Sequence, residues 1–281
     1  MIKKLLVGLS TSLALLAAPT HAITWGEPDE GEHPAVGTLL FVQNGVGFFS
    51  CTGTMISKRI MLTAAHCVQG EGVINDTTYV RFEEDALSGI GNYGSLQAWF
   101  DAEWLATETV IAHPLWDDYA AFPATYDIGV VILTEDVPED VVAASEFATL
   151  PPEGFLDMLK GRDKQDFTSV GYGQQGTLPP FEMNDYERYK GSVRLLETKS
   201  LISGQGEQSA KFSNNPGVGG GTCYGDSGGP TFYKDTKILV SVTSFGWAKN
   251  GNCVGNDFNF RTDVPAAIDF LDDIRSEYGD D

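Results

Sequence analysis

The segment CYGDSGGP, Cys223–Pro230, sets one serine hydroxyl among three glycines. Alone it reads as a tight loop. Two other segments change that reading: LTAAHC, Leu62–Cys67, and YDIGVVIL, Tyr126–Leu133. A histidine before a cysteine has a packing explanation, and an aspartate before a strand has a turn-capping one. Taken together, each residue type answers a need of the others. A serine hydroxyl is a weak nucleophile at neutral pH and needs a base to take its proton. An imidazole, with a reference pKa of about 6.5, takes and returns such a proton. A carboxylate behind the imidazole holds it in one tautomer. His66, Asp127 and Ser227 are the candidates for these three parts.

Around these segments the chain is written in short apolar runs. AVGTLLFV, RIMLTAA, ETVIAH, DIGVVIL, DFTSVGYG and ILVSVTSFGW are strand-sized and rich in β-branched or aromatic residues. Only the C-terminus reads as a helix. From Val264, the residues Ala267, Leu271, Ile274 and Tyr278 fall on one stripe, with acids opposite and Pro265 in the first turn. A change of composition at ATLPPEG, 148–154, divides the chain into β units at 23–150 and 151–263, followed by a helix and acidic tail at 264–281. The fold class is all-β, as barrels or sandwiches. The cluster Gly217-Val218-Gly219-Gly220-Gly221 lacks the Lys-Ser/Thr ending of a phosphate loop, which excludes nucleotide binding of that kind.

Residues 1–22, MIKKLLVGLSTSLALLAAPTHA, have two lysines, an apolar run and small residues before the boundary at Ile23. That is the pattern of a cleavable export signal, and its apolar part is short for a membrane span. The expected location is secreted or periplasmic, with no membrane contact after cleavage. The formal net charge of −21 becomes −23 without Lys3 and Lys4. Such a balance repels phosphate backbones and argues against nucleic acid as a partner. Four cysteines, Cys51, Cys67, Cys223 and Cys253, suggest two disulfides in an exported chain, with three connectivities open. Their spacing does not fit paired zinc ligands.

The three segments, in the order His, Asp, Ser, resemble those of the trypsin- and chymotrypsin-like serine endopeptidases, and the similarity extends over the mature chain. The resemblance implies two six-stranded antiparallel β-barrels with a C-terminal helix, and a triad of His66, Asp127 and Ser227. It implies an oxyanion hole from the N–H groups of Gly225 and Ser227, and support of Asp127 by Ser244. It implies the pairs Cys51–Cys67 and Cys223–Cys253. Protein or peptide substrates follow, with protein inhibitors as further partners, a monomeric assembly, and neither cofactor nor metal. The nucleophile's Gly-Asp-Ser-Gly-Gly setting separates it from esterases of unrelated fold. A silent relative that only binds partners is the rival reading, and such relatives lose a triad residue.

The family's specificity pocket corresponds here to Gly221, Thr222, Ser244, Phe245, Gly246 and Asn259. Gly221 stands where tryptic relatives carry an aspartate, which implies a neutral pocket; if Asp257 points inward, a cationic side chain is accepted instead. The family's activating ion pair corresponds to the α-amino group of Ile23 with Asp226. Because nothing separates Ile23 from the expected signal cut, export itself would create the active form; the alternative is a cut a few residues earlier that leaves a short propeptide for another protease to trim. His33 and His113 precede prolines and read as structural or surface residues. Glu83, Glu84 and Asp85 read as solvated carboxylates rather than a calcium loop. Asn75-Asp76-Thr77 fits a glycosylation sequon, and 160–190 reads as a loosely matching, exposed insertion.

Overall fold

A computed structural model describes residues 23–43, 46–69, 77–117, 124–178, 181–199, 207–215, 217, 219–247 and 252–279. The expected signal and Asn75-Asp76 of the sequon lie outside these residues. After a two-residue strand β1 (Glu27–Pro28), six strands close into an antiparallel barrel. They are β2 (Val36–Gln43), β3 (Val46–Met55), β4 (Ile60–Thr63), β5 (Thr77–Arg81), β6 (Leu105–Ala112) and β7 (Gly129–Leu133), in the spatial order β2-β3-β4-β7-β6-β5. Helix α1 (Leu96–Glu103) lies between β5 and β6, and its N-cap Ser95 accepts the Ala98 N–H.

The second unit follows α2 (Phe155–Met158) with β8 (Phe167–Gly171), a hairpin of β9 (Gly176–Leu178) and β10 (Phe181–Met183), and β11 (Tyr189–Val193). It continues through β12 (Leu195–Glu197), β13 (Ser209–Asn214), β14 (Pro230–Tyr233), β15 (Leu239–Trp247) and β16 (Gly255–Arg261), and ends in helix α3 (Pro265–Tyr278). Where six strands were expected, the sheet has eight, ordered β1-β11-β8-β14-β15-β16-β13-β12. One of the two additional strands, the edge β1, is the N-terminal segment itself, with Glu27 opposite Lys190 and Pro28 opposite Tyr189. The first residues of the chain therefore join the second sheet.

The apolar runs fill two layers at once. Along β7, Ile128, Val130 and Ile132 face a cluster containing α3, while Val131 and Leu133 face the barrel interior. A strand buried on both faces has no polar alternation, as the GVVIL run shows. Helix α3 closes the outer layer with Ala267, Phe270, Leu271 and Ile274, and Tyr278 packs at its margin. Each large side chain so buried contributes about 1.5–3 kcal/mol.

In the segment 160–190, residues 161–163 and 166 are exposed, but 167, 169–173 and 188–189 are buried. The segment contributes β8 and β11, and it carries a buried clamp between the two units. Arg188 donates from Nε to Asp29 at 2.9 Å, and from Nη1 to the carbonyls of Val36 and Phe82 and to the Tyr172 hydroxyl. Burial would raise the Asp29 carboxyl, but the His33 hydrogen bond and the Arg188 charge hold it below the usual carboxylate range. His33 lies against Asp29 and stacks on Phe232, the structural role expected of it.

Candidate active site

Paired strands deliver the histidine and the aspartate. Thr63, at the end of β4, lies opposite Gly129 at the start of β7. His66 follows three residues after the first and sits in a single 3-10 turn, Ala65–Cys67; Asp127 precedes the second by two. A Cβ at Gly129 would lie 2.8 Å from Val68 Cγ2 and 3.1 Å from the Ala64 carbonyl, so glycine lets the strand pass under that turn. Asp127 then accepts the His66 backbone N–H at 2.9 Å and faces His66 Nδ1 at 2.8 Å. With Nδ1 donating to the carboxylate, Nε2 is the basic nitrogen.

Ser244 reaches the same carboxylate from the other unit, donating to Asp127 Oδ2. The cause is a β-bulge: the β15–β16 register jumps between Thr243 opposite Asn259 and Phe245 opposite Phe258, which turns Ser244 out of the ladder. Burial would raise Asp127. The His66 charge and the hydrogen bonds from His66 and Ser244 outweigh burial and hold it below the usual value.

The serine loop is docked against the histidine loop by close backbone approach. Gly228, at φ +77°, has no room for a Cβ, which would lie 2.0 Å from Thr63 Oγ1 and 2.8 Å from the Ala64 nitrogen. Thr52 braces the loop from β3, donating its N–H to the Ser227 carbonyl at 2.8 Å and its hydroxyl to the Gly225 carbonyl at 2.9 Å. The Ser227 carbonyl oxygen lies 3.6 Å from Cys67 Sγ, beside His66. Gly225 has φ +99°, and its Cβ would meet Gly173 Cα at 2.8 Å, so only glycine fits that turn. Among the described residues, the Ser227 hydroxyl and the N–H groups of Gly225 and Ser227 make no hydrogen bond.

The disulfides are Cys51–Cys67 and Cys223–Cys253, with Cα separations of 6.0 and 5.3 Å. Cys51, His66 and Cys67 gather closely enough to suggest metal ligands, but the disulfide consumes both thiols. Acidic residues form no such group among the described residues. Glu84 instead faces Arg188, and Asp85 accepts the Leu87 N–H.

A cavity of about 390 Å³ opens beside Ser227, lined by Asn214, Thr222, Tyr224, Ser244, Phe245, Gly246 and Asp257 among others. Phe245 stacks on Phe258, with centroids 4.9 Å apart. Two expected pocket residues lie elsewhere. Gly221 sits behind the wall, because the Asn214 side chain fills the place of its Cβ, 2.1 Å away. Asn259 turns into the polar interior of the sheet and donates to Thr231 Oγ1 at 2.9 Å. Asp257 does line the cavity, accepting from Thr222 N–H and the Asn214 amide, and burial pushes its carboxyl up to about 6. Trp116, which the motifs did not single out, donates from its indole to the Gln69 carbonyl at 2.8 Å and stands 6.4 Å from the His66 ring.

Asp226 is fully buried. It accepts the N–H groups of Gly173 and Cys223, each at 2.8 Å, and burial pushes it up to about 7. No cation pairs with it among the described residues. A Cβ on Gly171 would run into its carboxylate, as one on Gly191 would run into the Ile23 side chain. Gly171 is opposite Tyr189 in the β8–β11 ladder. Opposite residues share a face, and Tyr189 and Gly191 alternate onto it together. Ile23, fully buried against Tyr189, and Asp226 thus lie on the same face, one residue pair apart.

Comparison with known proteins gives the family and the fold. The sequence profile of the family described as Trypsin matches residues 23–271. Trypsin theta of Drosophila melanogaster is 27% identical, over 93% of each chain. Chymotrypsin-like elastase family member 1 of Macaca fascicularis is 24% identical, over 90% of this chain and 89% of its own. The serine protease Hayan of Drosophila melanogaster is 23% identical over 90% of this chain, which spans 39% of Hayan's length. Among solved structures, HL collagenase superposes with a TM-score of 0.65 at 19% identity, covering 92% of this chain and all of its own.

Proposed function

The chain belongs to the trypsin family of serine proteases, and from that premise we propose that it is an exported, active endopeptidase acting through an acyl-enzyme on Ser227. The observation that carries this reading is the Asp127–His66 pair beside a cavity whose wall includes Ser227. As Ser227 Oγ bonds to the scissile carbonyl carbon, its proton passes to His66 Nε2. The carbonyl oxygen becomes negative against the N–H groups of Gly225 and Ser227, each worth about 3 kcal/mol of barrier. The imidazolium then protonates the leaving amine, and water repeats the sequence on the acyl group. The Ser227 hydroxyl, which makes no hydrogen bond among the described residues, would close on His66 Nε2 when substrate binds, as catalytic contacts commonly form or tighten there.

Substrate would lie along β15. Its partner β14 ends opposite Val242, so Ser244–Gly246 offer an open edge on which an extended peptide can pair as a strand. The residue before the cut would enter the cavity. Asp257 favours lysine or arginine there, since Gly246 leaves the way to its carboxylate open: a Cβ at Gly246 would stand 3.7 Å from Asp257 Oδ1. The carboxylate absent from position 221 would then be supplied by Asp257, held beside Thr222.

Activation would follow signal removal. Cleavage after Ala22 creates an amine at Ile23, on the same face as the unpaired Asp226. Pairing removes the cost of a lone buried carboxylate, about 3–5 kcal/mol. Sequencing of purified active protein tests this step, and a start other than Ile23 contradicts it. The catalytic reading is tested by peptide hydrolysis: the processed protein cleaves after lysine or arginine, and Ser227→Ala abolishes cleavage while the folded circular dichroism spectrum is kept. Equal cleavage by the variant would overturn it.

A further inference from the structure

Asp257 has to be held in the wall of the pocket, and the hold leads away from the site. Asn214, the last residue of β13 and 2% exposed, donates one amide hydrogen to Asp257 Oδ1 at 2.6 Å and the other to the Thr222 carbonyl at 2.7 Å. With both hydrogens on acceptors the amide has only one orientation, and its oxygen must face the opposite way. There it meets the hydroxyl of Thr24, 3.2 Å distant and also 2% exposed. The same hydroxyl lies 3.0 Å from the Gly221 carbonyl, and the Gly221 N–H returns to the Thr24 carbonyl at 3.2 Å. Thr24 is therefore seated by backbone and side chain together. The glycine at 221 makes room for the amide that reaches across it.

We propose that Asn214 is a positioning residue for substrate selection: its amide fixes the Asp257 carboxylate in the pocket wall, and the Thr24 hydroxyl makes that hold conditional on a seated N-terminal segment. The inference rests on the protease reading above and adds to it a route by which the N-terminus acts on selectivity without passing through Asp226. Without the Asn214 amide, Thr222 alone would hold the carboxylate, and a buried carboxylate with fewer donors turns away or takes up a proton. Either change weakens binding of a cationic side chain and spares an apolar one.

The test uses the processed protein and two peptides that differ only in lysine or leucine before the cut, with active enzyme counted by fluorophosphonate titration. Asn214→Ala should lower the lysine-to-leucine ratio of kcat/KM by about tenfold, the effect of losing one hydrogen bond to an ionised group. Thr24→Val should lower it by about threefold, and Thr24→Ser, which keeps the hydroxyl, should stay within about twofold of the unmodified protein. Leucine cleavage per titrated site should persist throughout. An unchanged ratio in Thr24→Val overturns the proposal even if Asn214→Ala does not fold. Losses shared equally by both peptides, unrestored by Thr24→Ser, reduce the two residues to a structural role and also overturn it. Unmodified protein that neither labels nor cleaves refutes the protease reading itself, and the proposal with it.

Discussion

Selectivity at the pocket should change with pH in a way set by one carboxyl. Burial holds Asp257 at about 6, above the ordinary aspartate value of 3.8. At pH 7 about nine-tenths of the carboxyls are ionised and at pH 5 about one-tenth, by simple titration around that value. If the ionised form binds lysine and the neutral form does not, kcat/KM for a lysine peptide falls by about tenfold over that interval from this cause alone. Ionisation of His66 acts on every substrate and cancels in the ratio of lysine to leucine peptides. The assay is that ratio, measured from pH 5 to 8 with the two peptides in competition in one reaction. The ratio should climb through pH 6 and level off above 7, and Asp257→Asn should leave it flat and low. A ratio independent of pH in the unmodified protein, or one that still climbs in Asp257→Asn, refutes the assignment of the pocket carboxylate.

Other outcomes follow from the same structure. Asp226 and Asp257 hold protons to higher pH when folded than when unfolded, so stability falls as pH rises from about 4 through their folded values of about 7 and 6. A chain retaining Ala22 should therefore lose on the order of 4 kcal/mol between pH 5 and 7.5 in urea denaturation, and a chain starting at Ile23 should lose less. The same loss in both contradicts the ion pair. In the processed chain the amine's folded pKa lies above its unfolded value near ~8, so the pair is intact below that and fades at alkaline pH, with activity falling over an intact fold. Arg188→Leu leaves the buried Asp29 with His33 as its remaining partner among the described residues and should cost up to about 3–5 kcal/mol by urea midpoint, against near-zero for an exposed ion-pair partner such as Lys58. Gly221→Asp, the tryptic residue, should lower stability by about 1–3 kcal/mol and fail to raise lysine cleavage, because Asn214 already occupies its space.

The three triad candidates could be picked out of the sequence because each lies in a locally constrained segment. Gly129 lets β7 pass under the turn that carries His66, and Gly228 lets the serine loop approach Thr63 and Ala64, so the motifs encode these close approaches. The helix stripe was equally readable, since period and burial coincide in α3. The pocket was not. Its walls depend on a register jump at Ser244 and on which of Asp257 and Asn259 falls beside Thr222, and no local pattern states either. Asn214 entered unannounced because its role depends on partners at Thr24 and Asp257, far away in the chain. The eighth-strand edge was hidden for a similar reason: Glu27–Pro28 has no strand signal of its own and pairs only because β11 offers it a ladder. The Arg188 clamp was hidden in the segment 160–190, read as an exposed insertion, because its counter-charge Asp29 lies far away in the chain.

The central claim is that residues 66, 127 and 227 form one nucleophilic unit, and active-site stoichiometry tests it most directly. Processed protein treated with a fluorophosphonate should take up one equivalent, located by peptide mass mapping on Ser227. His66→Ala should slow that uptake by orders of magnitude, and Ser227→Ala should abolish it. Folded, processed protein that remains unlabelled, or that labels at another serine, would contradict the account.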